Sequence, residues 1–231
     1  LAGLPVPAVP FGLDLADTEV MDAGLKELAR LKSLQSLNLW NTQVTDSGLK
    51  ELAGLKSLQS LSLYGTRVTD AGLKELAGLK LKSLTIPDDA KTDLGLKHYL
   101  AALEAPTHLD LSGWRVTDAG LKELAGLKLK SLVIPAGAKT DLGLKHYLAA
   151  LEAPTHLDLS GWRVTDAGLK ELAGLKSLQT LKLWSTQVTD AGLKELASMK
   201  SLQSLSLGRT RVTDAGVAEL LKALPGRRIL Y

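Results

Sequence analysis

The 231-residue sequence has no cysteine, one phenylalanine and two methionines, and only 4% of its residues are aromatic. Without cysteine there is no disulfide, no thiolate nucleophile and no sulfur ligand, so a disulfide-stapled secreted scaffold is excluded. No run of 18 apolar residues occurs, so nothing in the sequence reads as a membrane-spanning helix. An excess of one charge is also missing. The 28 Lys and Arg against 25 Asp and Glu leave +3, too little to imply a nucleic-acid partner. P-loop and dinucleotide fingerprints are absent. With so few rings, the core must be aliphatic, and among the 45% hydrophobic residues leucine dominates.

Those leucines recur with a period of about 24 residues, seen most cleanly at 34–57. Leu34, Leu37 and Leu39 alternate as in a strand with one buried face. Leu49, Leu52 and Leu55 then follow at the three-residue spacing of a short helix. Asp46 or Thr45 stands where an N-cap belongs. Each unit therefore reads as strand, turn, helix, turn, and stacked units share a continuous core.

The pattern L-x-x-L-x-L-x-x-T-x-V-T-D-x-G-L-x-x-L-x-x-L resembles the leucine-rich repeat. Its V-T-D-x-G-L half is similar to the repeats of F-box leucine-rich proteins and of many bacterial arrays. Thr18, Thr42, Thr66, Thr186 and Thr210 depart from the Asn or Cys usual at that position. The resemblance covers residues 10–231. It implies a right-handed α/β solenoid with a parallel β-sheet on the concave face and short α-helices on the convex face. It says little of function, which resides in sites grafted on a fold.

Nine repeats are expected over 10–225, starting at Pro10, Leu34, Leu58, Leu81, Pro106, Leu129, Pro154, Leu178 and Leu202. A partial tenth strand follows at 226–231. Residues 1–9, with Pro5 and Pro7, read as a cover on the first sheet edge, where proline blocks the addition of a strand. Residues 79–126 and 127–174 are one 48-residue segment twice, differing only at Thr85/Val133, Asp88/Ala136 and Asp89/Gly137. Recent duplication or deliberate assembly would each leave such near-identity. In these copies Trp114 and Trp162 fall at the ninth, core position of their repeats, alternating along the stack with Asp89 and Gly137. Both indoles are expected to be buried, with Gly137 and the altered turns making room for them.

On the convex side, rows such as Lys26/Glu27, Lys50/Glu51 and Lys194/Glu195 read as a solvated surface. On the concave side the residues between the strand leucines point outwards. One column there runs from Ala16 through Trp40, Tyr64, Pro87, Ser112, Pro135, Ser160 and Trp184 to Gly208. Another runs from Glu19 through Gln43, Arg67, Ala90, Arg115, Ala138, Arg163 and Gln187 to Arg211. Exposed Trp and Tyr are frequent interface anchors. The candidate partner-binding residues are therefore Trp40, Tyr64, Arg67, Arg115, Arg163 and Trp184. Six repeats separate Trp40 from Trp184, roughly 29 Å at about 4.8 Å per strand, which calls for a protein or long peptide with acidic residues.

No catalytic, metal or cofactor site is implied. His108 and His156 lie two strands apart, roughly 10 Å, too far to share a zinc. His108 with Asp110 and His156 with Asp158 share a strand face but lack a nucleophile motif. The functional expectation is a non-enzymatic protein-binding scaffold, with a ligand-free repeat array and the recognition arm of a larger enzyme as alternatives. No nucleic acid or membrane partner is expected. Asp14, Asp17 and Glu19 at one end and Arg209, Arg211 and Arg228 at the other suggest weak head-to-tail self-association.

Overall fold

The structure is a computed structural model that describes residues 6–231. Leu1 to Pro5, the first part of the expected edge cover, lie outside the described residues. Of the rest of that cover, Val6 and Val9 are exposed, and the Ala8 carbonyl accepts a 3.4 Å hydrogen bond from the Ser33 hydroxyl. The chain forms two compact units. The first holds Gly113–Glu123 together with the described residues up to Pro106; the second holds Thr107–Ser112 and Leu124–Tyr231.

In the first unit, β1 (Phe11–Asp14), β2 (Leu34–Asn38), β3 (Ser60–Ser62) and β4 (Ser83–Thr85) form one parallel sheet in sequence order. In the second, β5 (His108–Asp110) pairs with β6 (Ser131–Val133), and β7 (His156–Asp158), β8 (Thr180–Lys182), β9 (Ser204–Ser206) and β10 (Arg228–Leu230) form a four-stranded parallel sheet. Parallel neighbours need a crossover, and the crossovers here are short helical segments. Between β3 and β4 the segment is a 3-10 helix, Gly72–Leu76; the others are α1 (Asp22–Leu28), α2 (Asp46–Leu49), α3 (Asp93–Ala102), α4 (Asp118–Leu121), α5 (Asp141–Ala150), α6 (Asp166–Leu169), α7 (Asp190–Leu196) and α8 (Asp214–Ala223). Such strand–helix–strand connections are right-handed in nearly all proteins. Each unit is thus an α/β solenoid, with strands on one side and helices on the other.

Register explains why the leucines repeat. Leu37 pairs with Leu61 and Leu61 with Leu84, while Leu157, Leu181 and Leu205 line up likewise. All six are buried. A period of 24, or of 48 shared between a 23- and a 25-residue repeat, returns every leucine to the same row. The additional residue of the longer repeats is taken up around α3 and α5, each ten residues long.

The V-T-D-x-G-L half divides its labour between neighbouring repeats. Thr, not Asp, is the helix cap: the side chains of Thr45, Thr117, Thr165 and Thr189 accept from amides two residues on. Asp ties the stack together. Asp46 accepts the amide and the hydroxyl of Thr69 in the next repeat, each at 2.7 Å. Asp22 does the same for Thr45, Asp141 for Thr165 and Asp190 for Thr213, at 2.6–2.8 Å. Glycine then supplies clearance. A Cβ at Gly72, Gly168 or Gly216 would run into the carboxylate from the preceding repeat. Thr42 and Thr186 are buried where they interrupt the leucines, because each hydroxyl donates to the carbonyl three residues earlier, at 2.8 and 2.7 Å.

Trp114 and Trp162 are buried, 8% and 5% exposed, and meet Tyr99 and Tyr147 edge-on at 5.2 Å. The expected source of their room is corrected. A Cβ at Gly137 would touch nothing within 4 Å, and the side chain of Asp89 is 90% exposed. Tight turns at Asp88–Ala90 and Ala136–Ala138 instead turn Ala90 and Ala138 inward, both fully buried. Small alanines, not the glycine, are the core residues of these turns. The same winding removes Ala90, Ala138 and the buried Pro87 from the outward-facing columns.

Candidate sheet-face interface

Each strand leads into a tight turn, and the large outward residues sit where strand becomes turn. In the first unit Trp40 follows β2 and Tyr64 follows β3. Their strands stay hydrogen-bonded through this region: Leu39 N–H donates to the Ser62 carbonyl at 2.9 Å and Asn41 N–H to the Tyr64 carbonyl at 3.0 Å. Trp40 N–H is held by the Asn38 side-chain oxygen at 3.0 Å, and the Asn41 amide reaches Asp17 at 2.8 Å. The turn is thus fixed on both flanks, yet Trp40 and Tyr64 remain 41% exposed. Exposed apolar rings on a rigid backbone are the raw material of an interface core.

Arg67 stands beyond Tyr64, its amide bonded to the Val44 carbonyl at 2.9 Å. Arg115, in the same unit, directs its guanidinium to the Asp89 carbonyl at 3.1 Å, with the Asp89 carboxylate 3.7 Å away. In the second unit Arg163 reaches the Gly137 carbonyl at 3.0 Å. These two arginines hold the turn of the preceding repeat as well as facing solvent. The structure therefore brings Trp40 and Tyr64 together on neighbouring strands, and places Arg67 and Arg115 in that same unit. Trp184 and Arg163 belong to the other.

Trp184 follows β8 and is 43% exposed. The Arg209 guanidinium lies 4.8 Å from its ring centroid, within cation–π range. Beside it, Lys182 pairs with Asp158 across β8 and β7 at 3.1 Å. Partial burial pushes the Asp158 carboxyl up. Hydrogen bonds from Ser160 and the Lys182 ammonium outweigh that, leaving it below the ordinary value of 3.8. Asp110 is lowered by the hydroxyl and amide of Ser112. On the phenol side, burial raises Tyr99 above 10.0 and, with help from Asp158, Tyr147 as well.

Three of the four histidines take structural contacts. His108 and His156 sit 2.9 and 2.8 Å from the hydroxyls of Thr107 and Thr155, and His98 meets the Asp70 carbonyl at 2.8 Å. Among the described residues, no group of three or more His, Asp or Glu is placed to hold a metal ion, and no helix is long and apolar enough to cross a membrane.

A family model described as "Leucine Rich repeat" matches four stretches, 30–53, 54–77, 174–197 and 198–221. These carry the same leucine rows and Thr–Asp ties as the repeats between them. These four stretches are leucine-rich repeats. Among curated proteins none matches the chain. Of solved structures, it is similar to a leucine-rich repeat protein of Leptospira interrogans, with 23% identity over 95% of this chain and a TM-score of 0.45. It spans 60% of the length of that chain. An internalin of Listeria monocytogenes is similar at 18% identity, over 96% of this chain and 80% of its own, with a TM-score of 0.45.

Leucine-rich repeats present an extended face to partners, and one residue of that face escaped the reading of the outward columns. Arg209 belongs to the turn itself, where its counterparts are Asp17, Asn41, Gly65, Gly113, Gly161 and Ser185. Six short turn-formers followed by an arginine form a signal visible in the sequence, though the contact with Trp184 is not.

Proposed function

We propose that this leucine-rich repeat protein is a non-enzymatic binding scaffold that holds a protein or long peptide on the strand faces of its units, Trp40 and Tyr64 being the anchors of one face and Trp184 the anchor of the other. The supporting observation is the exposure of these three rings, 41–43%, on a backbone whose neighbouring leucines are fully buried. Arg67, Arg115 and Arg163 add cations for acidic partner residues. Protein binding is the usual task of such repeats, and the sequence contains no motif for catalysis.

The test is affinity capture with the full chain as bait. Truncating an anchor costs about 2 kcal/mol or more, roughly a 30-fold loss. Trp40→Ala combined with Trp184→Ala should lose the captured protein while the melting temperature holds. Lys50→Ala, on the exposed helix side, should retain both. Capture unchanged in the double variant would move the site off the strand side. The near-identity of 79–126 and 127–174 favours a second reading, an array with no ligand of its own. Under that reading no captured protein depends on Trp40, Tyr64 or Trp184.

A further inference from the structure

The tight turns after β1, β2, β3, β5, β7 and β8 use a left-handed backbone. Gly65, Gly113 and Gly161 have φ of 74°, 74° and 71°, and Asp17, Asn41 and Ser185 have 57°, 53° and 58°. Glycine, asparagine and aspartate tolerate this region; long side chains are disfavoured in it. Arg209 adopts it too, at 56°. A disfavoured backbone at one member of a repeated turn is a reason to ask what the side chain does.

The surroundings answer. Trp184 lies over Gly208, where a Cβ would come within 2.8 Å of its Cδ1 and 3.2 Å of its Nε1. Gly208 is not in the left-handed region, so its missing side chain serves the indole and not the turn. The ring is therefore seated on backbone beside it and covered by the Arg209 guanidinium. A cation–π contact uses the face of a guanidinium and leaves its in-plane N–H donors available, the geometry a carboxylate takes in two parallel bonds. Arg211 is exposed two residues on, and Arg228, also exposed, is in register with Ser204 on β9. Among the described residues none of the three arginines makes an ion pair, whereas Lys182 is neutralised by Asp158 and the Asp190 carboxylate is occupied by Thr213.

We propose that Trp184, Arg209, Arg211 and Arg228 form a docking site for a carboxylate-rich peptide segment of a protein partner. The inference rests on the binding reading above and adds the chemistry recognised. Arg209 takes a carboxylate with its orientation already set, which lowers the ordering cost of binding. The exposed part of the indole covers an apolar side chain beside that carboxylate. Three cations next to a neutralised Lys–Asp pair suit a short acidic segment. A nucleic-acid backbone calls for a longer basic track.

The experiment selects from a random peptide library against the full chain, with a random single-stranded oligonucleotide pool as the second probe. Enriched peptides should be rich in Asp and Glu, bind more weakly as salt is added, and survive Lys50→Ala. Arg209→Gln and Trp184→Ala should each weaken them about tenfold. Arg209→Gly guards against loss through unfolding: glycine suits the turn, so binding should fall while the thermal midpoint holds or rises. Peptides without acidic bias, acidic peptides indifferent to Arg209→Gly, or oligonucleotides bound more tightly at these residues would overturn the proposal. Non-acidic peptides that depend on Trp40 and Tyr64 would sink it and leave the scaffold reading standing. If no enriched peptide depends on any of the three exposed rings, both fail.

Discussion

Lys91 and Lys139 stand at the same place in the two copies of one 48-residue segment, yet their ammonium groups go to different partners. Lys91 bonds the Asp88 carboxylate at 2.7 Å. Lys139 has Ala136 in place of that aspartate, and its ammonium lies 5.9 Å from the Trp162 ring centroid. Arg115 has both the carbonyl and the carboxylate of Asp89 within reach, whereas Arg163 has only the carbonyl of Gly137. Beneath these differences nothing moves. The Tyr–Trp pairs keep the same 5.2 Å separation and 75° angle, and Ala90 and Ala138 are equally buried. Two layers with different rules are on view. Close packing and backbone hydrogen bonds fix the interior, while exposed charges are reassigned by one or two substitutions.

The largest effect should come from the layer the copies share. Trp114→Ala or Trp162→Ala removes a buried indole and leaves a cavity against the tyrosine, at about 3–5 kcal/mol. Chemical denaturation should give the two variants equal losses to within about 1 kcal/mol, the size of an exposed ion pair. A larger gap would show that the charges above the turn reach the core, and would break the two-layer picture. Because each repeat packs only on its neighbours, the loss is best read as a shift of the whole curve and not of one midpoint.

The Thr–Asp tie is also common to both copies. Asp93 holds Thr117 at 2.7 and 2.7 Å, and Asp141 holds Thr165 at 2.8 and 2.7 Å. Asp93→Ala and Asp141→Ala each strand an amide and a hydroxyl, and each should cost about 1–3 kcal/mol, again equally. The plain repeats offer the pH version. At Asp190 the Thr213 amide and hydroxyl hold the carboxyl below 3.8. A carboxyl lowered on folding stabilises the fold above its unfolded value and loses that contribution as pH falls through the folded one. The advantage of the wild type over Asp190→Asn in thermal melts should be full above about pH 4 and shrink with further acidification. An advantage that persisted unchanged down to strongly acid pH would argue against the tie.

How much of this could be read beforehand divides along the same line. The leucine rows, the strand–helix alternation, the lengthened α3 and α5 and the burial of both indoles follow from spacing and volume, which are one-dimensional. The exposure of Trp40, Tyr64 and Trp184 follows from strand alternation. The turns after Ile86 and Ile134 were not legible, because their winding changes which residue points inward. Counting along the repeat gave Asp89 and Gly137 the core position that Ala90 and Ala138 hold. The role of Asp46 was equally hidden. Its partner Thr69 is a whole repeat away, so a local cap and a tie between repeats look alike in sequence. The Arg209 cover on Trp184 was missed for the same reason: it joins two residues 25 apart across a turn whose handedness must be known first.

The smallest expected effect isolates the outer layer. Ala136→Asp restores in the second copy the carboxylate the first copy has, and should draw Lys139 off Trp162 into an ion pair like that of Lys91. Asp88 is 68% exposed in its side chain, so screening by water leaves such a pair worth about 0–1 kcal/mol. The thermal midpoint should therefore hardly change. What should change is the environment of the indole. A cation over a ring shifts the signals of its own terminal protons, so the Lys139 side-chain resonances should lose their ring-current displacement in Ala136→Asp. The reciprocal Asp88→Ala should give Lys91 a displacement over Trp114 that it lacks in the wild type. Added salt should reverse the first change and leave the second. If both lysines keep their wild-type resonances in these variants, the substitutions at 88 and 136 do not direct them, and the difference within the duplicated segment must lie at Thr85/Val133 or Asp89/Gly137.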